Sequence, residues 1–176
     1  LNHACAILED GRVKCWGDDW RNQSLEGSPV EGIDAAVEVD GGREHTCALL
    51  EDGTVQCWGA NGKGQLGNDD GNTVDGPFQV TGLSNVESIS SGMNHVCALT
   101  GEGAVMCWGS DDEYIHTSTP EPAFGLTSGV EKIAAGAWHT CAYKSDSTVV
   151  CWGFNDYGQL GDGTTTSRRN PVTVGF

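Results

Sequence analysis

The sequence has few basic residues and no long hydrophobic segment. Nine lysines and arginines stand against 25 aspartates and glutamates in 176 residues, which gives a formal net charge of −16. This charge repels nucleic-acid phosphates and provides no basic stripe along which a nucleic-acid backbone could lie. No apolar run approaches the roughly 20 residues that a transmembrane helix needs. We therefore expect neither nucleic-acid binding nor insertion into a membrane.

Familiar catalytic and redox motifs are also missing. The chain contains no phosphate loop, zinc-protease helix, nucleophile elbow or Cys-x-x-Cys. Without a nucleophile or a carboxylate pair at a catalytic spacing, the sequence predicts that the protein is not an enzyme and needs no cofactor. Acidic loops at 17–19, 68–70 and 110–113 could supply oxygen ligands to Ca²⁺. None has the spacing of a defined calcium loop, so we expect a solvated acidic rim and no metal site.

What the sequence does contain is a string that occurs four times. HACAILEDGRVKCWG, HTCALLEDGTVQCWG, HVCALTGEGAVMCWG and HTCAYKSDSTVVCWG begin at His3, His45, His95 and His139, which gives periods of 42, 50 and 44 residues. An alternating stretch ending in glycine precedes the string, as in VEVDGG at 37–42, and a stretch led by proline follows it.

Each unit therefore consists of four short strands joined by glycine-rich turns, a pattern typical of a β-propeller blade. We expect an all-β fold, a β-propeller of four-stranded blades. The chain forms one propeller segment over 1–176, with repeats at approximately 1–33, 34–83, 84–126 and 127–176.

The two cysteines of each string lie on opposite sides of a turn. If Glu51, Asp52 and Gly53 form a three-residue loop with Gly53 in the left-handed conformation, Cys47 faces Cys57. The pair then occupies a non-hydrogen-bonded site, where Cα atoms are about 4.5 Å apart and a disulfide fits. Repeat 4 has Ser147 in place of the glycine, which leaves its turn type open. The same count predicts four disulfides, Cys5–Cys15, Cys47–Cys57, Cys97–Cys107 and Cys141–Cys151.

Four regular cysteine pairs favour an oxidising compartment. We expect an extracellular or cell-surface protein, with the periplasm as another possible location. The alternative is a reduced cytosolic protein in which the cysteines only pack in the core.

Two other residue types recur once in every string. The tryptophans Trp16, Trp58, Trp108 and Trp152 are predicted to fill the space between neighbouring blades. The histidines that begin the strings are predicted to be structural, with hydrogen bonds in the blade, because buried polar groups need partners.

Taken together, HxCAL, DGxVxCWG and the string NGKGQLG at 61–67, which returns within NDYGQLGDGT at 155–164, resemble the regulator of chromosome condensation repeat family. The resemblance implies a propeller, usually of seven blades, of which these four repeats would be part, or an assembly that a partner completes. The cysteine-paired variant resembles repeats of secreted or surface bacterial proteins. Repeats 1 and 3 depart from the family pattern, because DWRNQSL (19–25) and DEYIHTS (112–118) replace NGKGQLG.

Binding is expected where the repeats differ. In a four-stranded meander the loop before the histidine and the loop after CWG emerge on the same side of the blade. Exposed aromatic residues and arginine on that side suit a protein contact, although several of them could instead pack against adjacent blades. The predicted interaction face consists of Trp20, Arg21, Arg43, Glu44, Met93, Asn94, Tyr114, His116, Trp138, Phe154 and Tyr157.

The leading functional hypothesis is a non-enzymatic interaction or scaffold module, extracellular or on the cell surface, whose partner is another protein. The family resemblance implies two alternatives. One is a guanine-nucleotide-exchange-factor-like regulator of a small GTPase, which would require reduced cysteines inside the cell. The other is an inhibitor of a secreted enzyme, which is a special case of protein binding.

Overall fold

The structure is a computed structural model that describes residues 3–17, 29–110 and 116–175. In this part of the chain every regular element is a β-strand, and no helix is long and apolar enough to cross a membrane. The strands are β1 (His3–Ile7), β2 (Val13–Gly17), β3 (Ala36–Gly41), β4 (His45–Leu50), β5 (Val55–Gly59), β6 (Val74–Gln79), β7 (Val86–Ser91), β8 (His95–Thr100), β9 (Val105–Ser110), β10 (His116–Pro122), β11 (Val130–Ala135), β12 (His139–Lys144), β13 (Val149–Gly153) and β14 (Arg168–Thr173).

The strands form antiparallel sheets in which neighbours in sequence are neighbours in space. Three sheets have four strands each, in the orders β3-β4-β5-β6, β7-β8-β9-β10 and β11-β12-β13-β14, and we call them blades 2, 3 and 4. Blade 1 is described only for residues 3–17 and 29–33. Its described residues form the β1-β2 hairpin, with a single bridge from Lys14 to Pro29.

The register of the central hairpins is the predicted one. In blade 2, Cys47 faces Cys57 and Leu49 faces Val55, and Gly53 has a positive φ of 77°. Disulfides join the cysteines of all four hairpins, with Cα–Cα distances between 4.0 and 4.1 Å.

The turn that the sequence left open in blade 4 has the same conformation without glycine. Ser147 has a φ of 66°, and its N–H donates to the Lys144 carbonyl over 2.9 Å, as Gly53 does to Leu50. The hairpin geometry therefore recurs in all four blades, at the cost of a left-handed serine in the last one.

The hydrophobic core consists of layers between the blades. Trp58 of blade 2 packs with Val13 and Cys15 of blade 1, and Trp108 of blade 3 packs with the Cys47–Cys57 side of blade 2. Trp152 of blade 4 packs in the same way on blade 3. The prediction that tryptophan fills the gap between blades is confirmed for these three residues. Trp16, at the same position of blade 1, is 45% exposed.

The first strands of neighbouring blades are joined by side chains. Asp40 in β3 accepts a hydrogen bond from the Ser91 N–H in β7 over 2.8 Å, and Ser90 accepts one from the Ala135 N–H in β11 over 2.9 Å. Glu38 accepts a further bond from the Ile89 N–H over 3.0 Å, and burial raises the pKa of its carboxyl. Backbone N–H groups at the edge of one blade thus donate to side chains of the preceding blade.

Candidate functional site

Two loops of each complete blade lie side by side. The Ala60 N–H, which follows β5, donates to the carbonyl of Glu44 in the β3–β4 loop over 2.7 Å. The Ser110 N–H bonds to the Asn94 carbonyl in blade 3, and the Phe154 N–H bonds to the Trp138 carbonyl in blade 4. The loop before each histidine and the segment after each CWG therefore emerge at the same end of the sheet.

The loops of successive blades are also joined to one another. The Arg43 N–H donates to the Met93 carbonyl over 3.0 Å, and the Met93 N–H donates to the Ala137 carbonyl over 2.9 Å. This chain of backbone hydrogen bonds holds three loops in one continuous surface. We call it the loop surface and define it by the predicted residues that the structure describes there: Arg43, Glu44, Met93, Asn94, Trp138, Phe154 and Tyr157.

Aromatic residues dominate the blade 4 part of the loop surface. The rings of Trp138 and Phe154 lie 5.7 Å apart, and those of Phe154 and Tyr157 lie 6.0 Å apart, both in edge-to-face geometry. Trp138 is 42% exposed and Tyr157 is 87% exposed. Edge-to-face contacts fix the rings relative to one another and leave them accessible, an arrangement suited to protein contact.

A buried asparagine supports the loop that carries Tyr157. The Asn155 side chain accepts a hydrogen bond from the Leu160 N–H over 2.8 Å and donates to the carbonyls of Thr164 and Thr166. Asn61 has the same position in blade 2 and accepts from the Leu66 N–H over 3.0 Å. The sequence analysis did not single out these residues, although an asparagine precedes GQLG by three positions in both loops.

The blade 2 and blade 3 parts of the loop surface are polar or half-buried. Arg43 and Glu44 are exposed, and their charged groups lie 3.9 Å apart. Met93 and Asn94 are half-buried. Of the other predicted residues, Trp20, Arg21 and Tyr114 lie outside the described residues. His116 begins β10, and its side chain also lies outside them.

The acidic loops provide no evident metal site in the described part of the chain. The side-chain oxygens of Asn68 and Asp70 accept hydrogen bonds from Asn61, and Asp69 accepts one from Ser118. In the described part of the chain, no group of three or more His, Cys, Asp or Glu side chains could hold a metal ion. All of the acidic residues at 17–19 and 110–113 fall outside the described ranges.

The repeat histidines lie behind the loop surface, and two of them have a hydrogen-bond partner on the next blade. His3 Nε2 is 3.0 Å from Thr46 Oγ1, and His95 Nε2 is 2.9 Å from Thr140 Oγ1. The equivalent position for His45 is Val96, and both nitrogens of His45 are buried without a partner. The expectation of a hydrogen bond for every repeat histidine is therefore wrong for His45, because valine replaces the threonine that would bond to it.

Burial keeps these inner histidines neutral. It lowers the pKa of His45 to about 3 and that of His95 to about 4. Gly42 and Gly92 provide the space for the two rings, since a Cβ at either position would overlap the imidazole. Both imidazoles are therefore part of the packed interior of the blades.

Antiparallel four-stranded sheets, stacked face to face and joined at their first strands, define a β-propeller architecture. Residues 1–23, 36–65, 86–114 and 130–159 match a model of the regulator of chromosome condensation (RCC1) repeat. Residues 52–99 and 146–176 match a second model of the same description. The chain belongs to the RCC1 repeat family. No curated protein sequence matches it.

Solved structures agree with this architecture. Yeast RCC1 (Prp20) bound to Kap60 matches with a TM-score of 0.88 and 22% identity over 99% of this chain and 47% of its own. Human WBSCR16 matches with a TM-score of 0.84 and 23% identity over 99% and 51% of the two chains. The ectodomain of the receptor kinase CR4 from Physcomitrella patens matches at 0.63 and 25%, over 88% and 39%. The chain thus spans about half the length of the first two proteins, whose likeness shows the fold.

Proposed function

We propose that this propeller segment is a non-enzymatic protein-binding module of an extracellular or cell-surface protein, and that its loop surface contacts the partner. The aromatic cluster of Trp138, Phe154 and Tyr157 is the observation that carries the proposal. It presents accessible ring area on a loop that the buried Asn155 side chain holds in place. Such preorganisation reduces the entropy lost when a partner binds.

Related structures support a binding role. Yeast RCC1 was crystallised with Kap60, and the structure of Prp20p from Saccharomyces cerevisiae is described with its binding to Gsp1p and histones. The net charge of −16 favours partners with a basic surface, since opposite charges accelerate encounter.

The proposed compartment rests on the cysteines. All eight are joined in four disulfides, which persist in oxidising surroundings. The CR4 match is an ectodomain, which supports the same location. These features favour an extracellular binding module over an exchange factor that acts in the reducing interior of a cell.

Capture of partners from the source organism's extracellular fraction tests the binding surface. The immobilised protein is compared with a Trp138→Ala/Tyr157→Ala variant and with a Tyr143→Ala control, which removes an exposed aromatic residue outside the loop surface. We expect the double variant to lose at least about ten-fold in recovered partner, because aromatic anchors dominate such contacts. Equal recovery by the double variant and the wild type would contradict the proposal.

The compartment has a separate test. Intact mass of the protein isolated from its source, measured after alkylation with and without reduction, counts free and bonded cysteines. We expect no alkylation before reduction. Eight free thiols would exclude the extracellular assignment and favour an intracellular exchange-factor-like role.

A further inference from the structure

The layer between blades 3 and 4 contains a cleft of about 300 Å³. Cys107 and Trp152 line its inner part, and its outer part is formed by residues of β10 and β14, including Glu121, Arg169 and Asn170. None of the residues that line it belongs to the loop surface. The volume is at the lower end of the range for ligand pockets, enough for one anchoring side chain and its neighbours.

The cleft occurs where blade 3 lacks large apolar groups that blade 2 possesses. In blade 2, Phe78 pairs with Cys57, and Val80 and Leu66 pack against Trp108. In blade 3, Glu121 pairs with Cys107 at the position of Phe78, and Ala123 follows at the position of Val80.

The loop that supplies Leu66 is also different in blade 3. The connection between β5 and β6 covers residues 60–73, whereas that between β9 and β10 covers only 111–115 and has no GQLG. Blade 4 restores the longer connection, 154–167, and its buried Leu160. Among blades 2, 3 and 4, only blade 3 lacks both an aromatic residue opposite the second cysteine and the long connection that carries a buried leucine.

The rim of the cleft holds polar groups without partners. In the described residues, the side chains of Glu121, Arg169 and Asn170 form no hydrogen bond or ion pair. They offer a carboxylate, a guanidinium and an amide, which together can bond the N–H and C=O groups of an extended backbone. Phe124, 72% exposed, adds an aromatic ring at the same rim.

We propose that this cleft binds an extended segment of another protein by inserting one leucine- or phenylalanine-sized side chain. The inserted group would take the place that Leu66 occupies against Trp108 between blades 2 and 3, and would lie against the buried Trp152. Glu121, Arg169 and Asn170 would bond to the peptide on either side of the anchor. The apolar inner part selects the anchor, and the two opposite charges at the rim match a peptide better than a purely apolar ligand.

The test is an NMR titration of the disulfide-bonded protein with the peptide acetyl-Gly-Ser-Leu-Ser-Gly-amide, together with its phenylalanine and alanine counterparts. We expect saturable shifts of the Phe124 ring and Trp152 indole signals in the millimolar range, as is reasonable for so small a ligand. The alanine peptide should bind at least roughly ten-fold more weakly, because it lacks three buried carbon atoms.

A variant that fills the cleft provides the specific control. Glu121→Phe/Ala123→Val installs the residues that blade 2 carries at these positions and should abolish the shifts while the melting temperature stays equal or rises. Phe124→Ala/Arg169→Ala, at two exposed positions, gives a second variant that should weaken binding even if the first does not fold. Tyr157→Ala should bind the peptide normally, which separates this cleft from the loop surface.

Several results would overturn the proposal. These are an absence of shifts at Phe124 and Trp152, equal affinity for the leucine and alanine peptides, or shifts that persist in the filled variant. Shifts that appear on concentrating the protein without peptide would identify a second copy as the occupant instead.

Discussion

A single side chain breaks the pattern of contacts between the histidines and the next blade. Thr46 and Thr140 each place a hydroxyl next to a histidine of the preceding blade, whereas Val96, at the equivalent position, has no hydroxyl for His45. A buried imidazole without partners costs about 1–3 kcal/mol of folding free energy. A hydrogen-bond partner for His45 should therefore increase the stability of the protein.

Restoring the threonine should stabilise the protein. Val96→Thr supplies a hydroxyl to His45 in a side chain of nearly the same shape, and we expect the free energy of unfolding to rise by about 1 kcal/mol. Thr140→Val is the matched control, since it removes the partner of His95 and should cost about 1–3 kcal/mol. Denaturant unfolding without reductant measures both. A loss of stability in Val96→Thr as large as in the control would contradict the assignment.

The same buried histidines predict a loss of stability in mild acid. Below the ordinary histidine pKa of about 6.5 the unfolded chain binds protons, while folded His45 and His95 stay neutral down to about pH 3 and 4. Between about pH 6.5 and 5 the free energy of unfolding should fall with decreasing pH, by up to about 1.4 kcal/mol per pH unit for each histidine.

Unfolding curves across that range, compared with those of His45→Gln, isolate the contribution of one residue. The free energy of unfolding of the variant should change less steeply with pH, because unfolding of the variant takes up as much as one proton fewer. This difference in slope does not depend on the absolute stability of the variant. An identical slope in both proteins would mean that His45 is protonated in the folded state.

At the scale of the strand and turn, the hairpin is the element that repeats most faithfully. Gly11, Gly53 and Gly103 have φ angles between 75° and 77°, and Ser147 adopts nearly the same conformation with a side chain. The left-handed conformation costs a non-glycine residue roughly 1–2 kcal/mol. The blade 4 hairpin therefore forms with a local penalty that the other three avoid.

Replacing this serine should remove the penalty. We expect Ser147→Gly to raise the free energy of unfolding by up to about 1 kcal/mol, because the relief of strain exceeds the added flexibility of the unfolded chain. Gly53→Ser is the reciprocal control and should destabilise blade 2 by at least as much. Thermal unfolding of both variants and of the wild type measures these changes. A Ser147→Gly variant with unchanged stability would refute the strain argument.

Local elements could be predicted from the sequence, and contacts between blades only in part. The Cys47–Cys57 register follows from a turn and two strands within about a dozen residues, so spacing alone was sufficient. The interblade position of tryptophan followed from its recurrence. The contact of His3 with Thr46 joins residues 43 apart, and no local rule predicts it. The valine of HVCAL, compared with the threonine of HTCAL, was the sequence feature that could have revealed the unpaired His45.

On the scale of the whole molecule, stability is distributed over layers that each involve only two blades. Strand β8 contributes Val96 and Ala98 to one layer and Cys97 and Leu99 to the next. Among the described residues, strand β12 contributes Ala142 to a single layer, and its Tyr143 is exposed. Arrays of this kind open unit by unit, and units with neighbours on both sides open last.

Hydrogen exchange should resolve this order. For a protein consisting of residues 1–176 alone, we expect the hydrogen-bonded amides of β8 to exchange at least roughly ten-fold more slowly than those of β12, although both strands occupy the second place in their sheets and carry a disulfide. Exchange is followed by mass spectrometry of the oxidised protein near neutral pH. Equal protection of the two strands would show that the blades unfold together as one cooperative unit.

The layered arrangement has a consequence for how such a gene can change length. In the layers between blades 2 and 3 and between blades 3 and 4, the tryptophan of one blade packs on the cystine of the preceding blade. Loss of strands β7–β10 as a block would place Trp152 against Cys47 and Cys57, so the new layer would have the same kind of contact as the two that it replaces. The same deletion would place Thr140 next to His45, and the Thr140 hydroxyl would provide the hydrogen-bond partner that His45 lacks beside Val96. Recombination between repeats can thus insert or remove an entire blade while the contact between the newly adjacent blades stays of the same kind. In this chain, deletion of blade 3 would also give the buried His45 a hydrogen-bond partner.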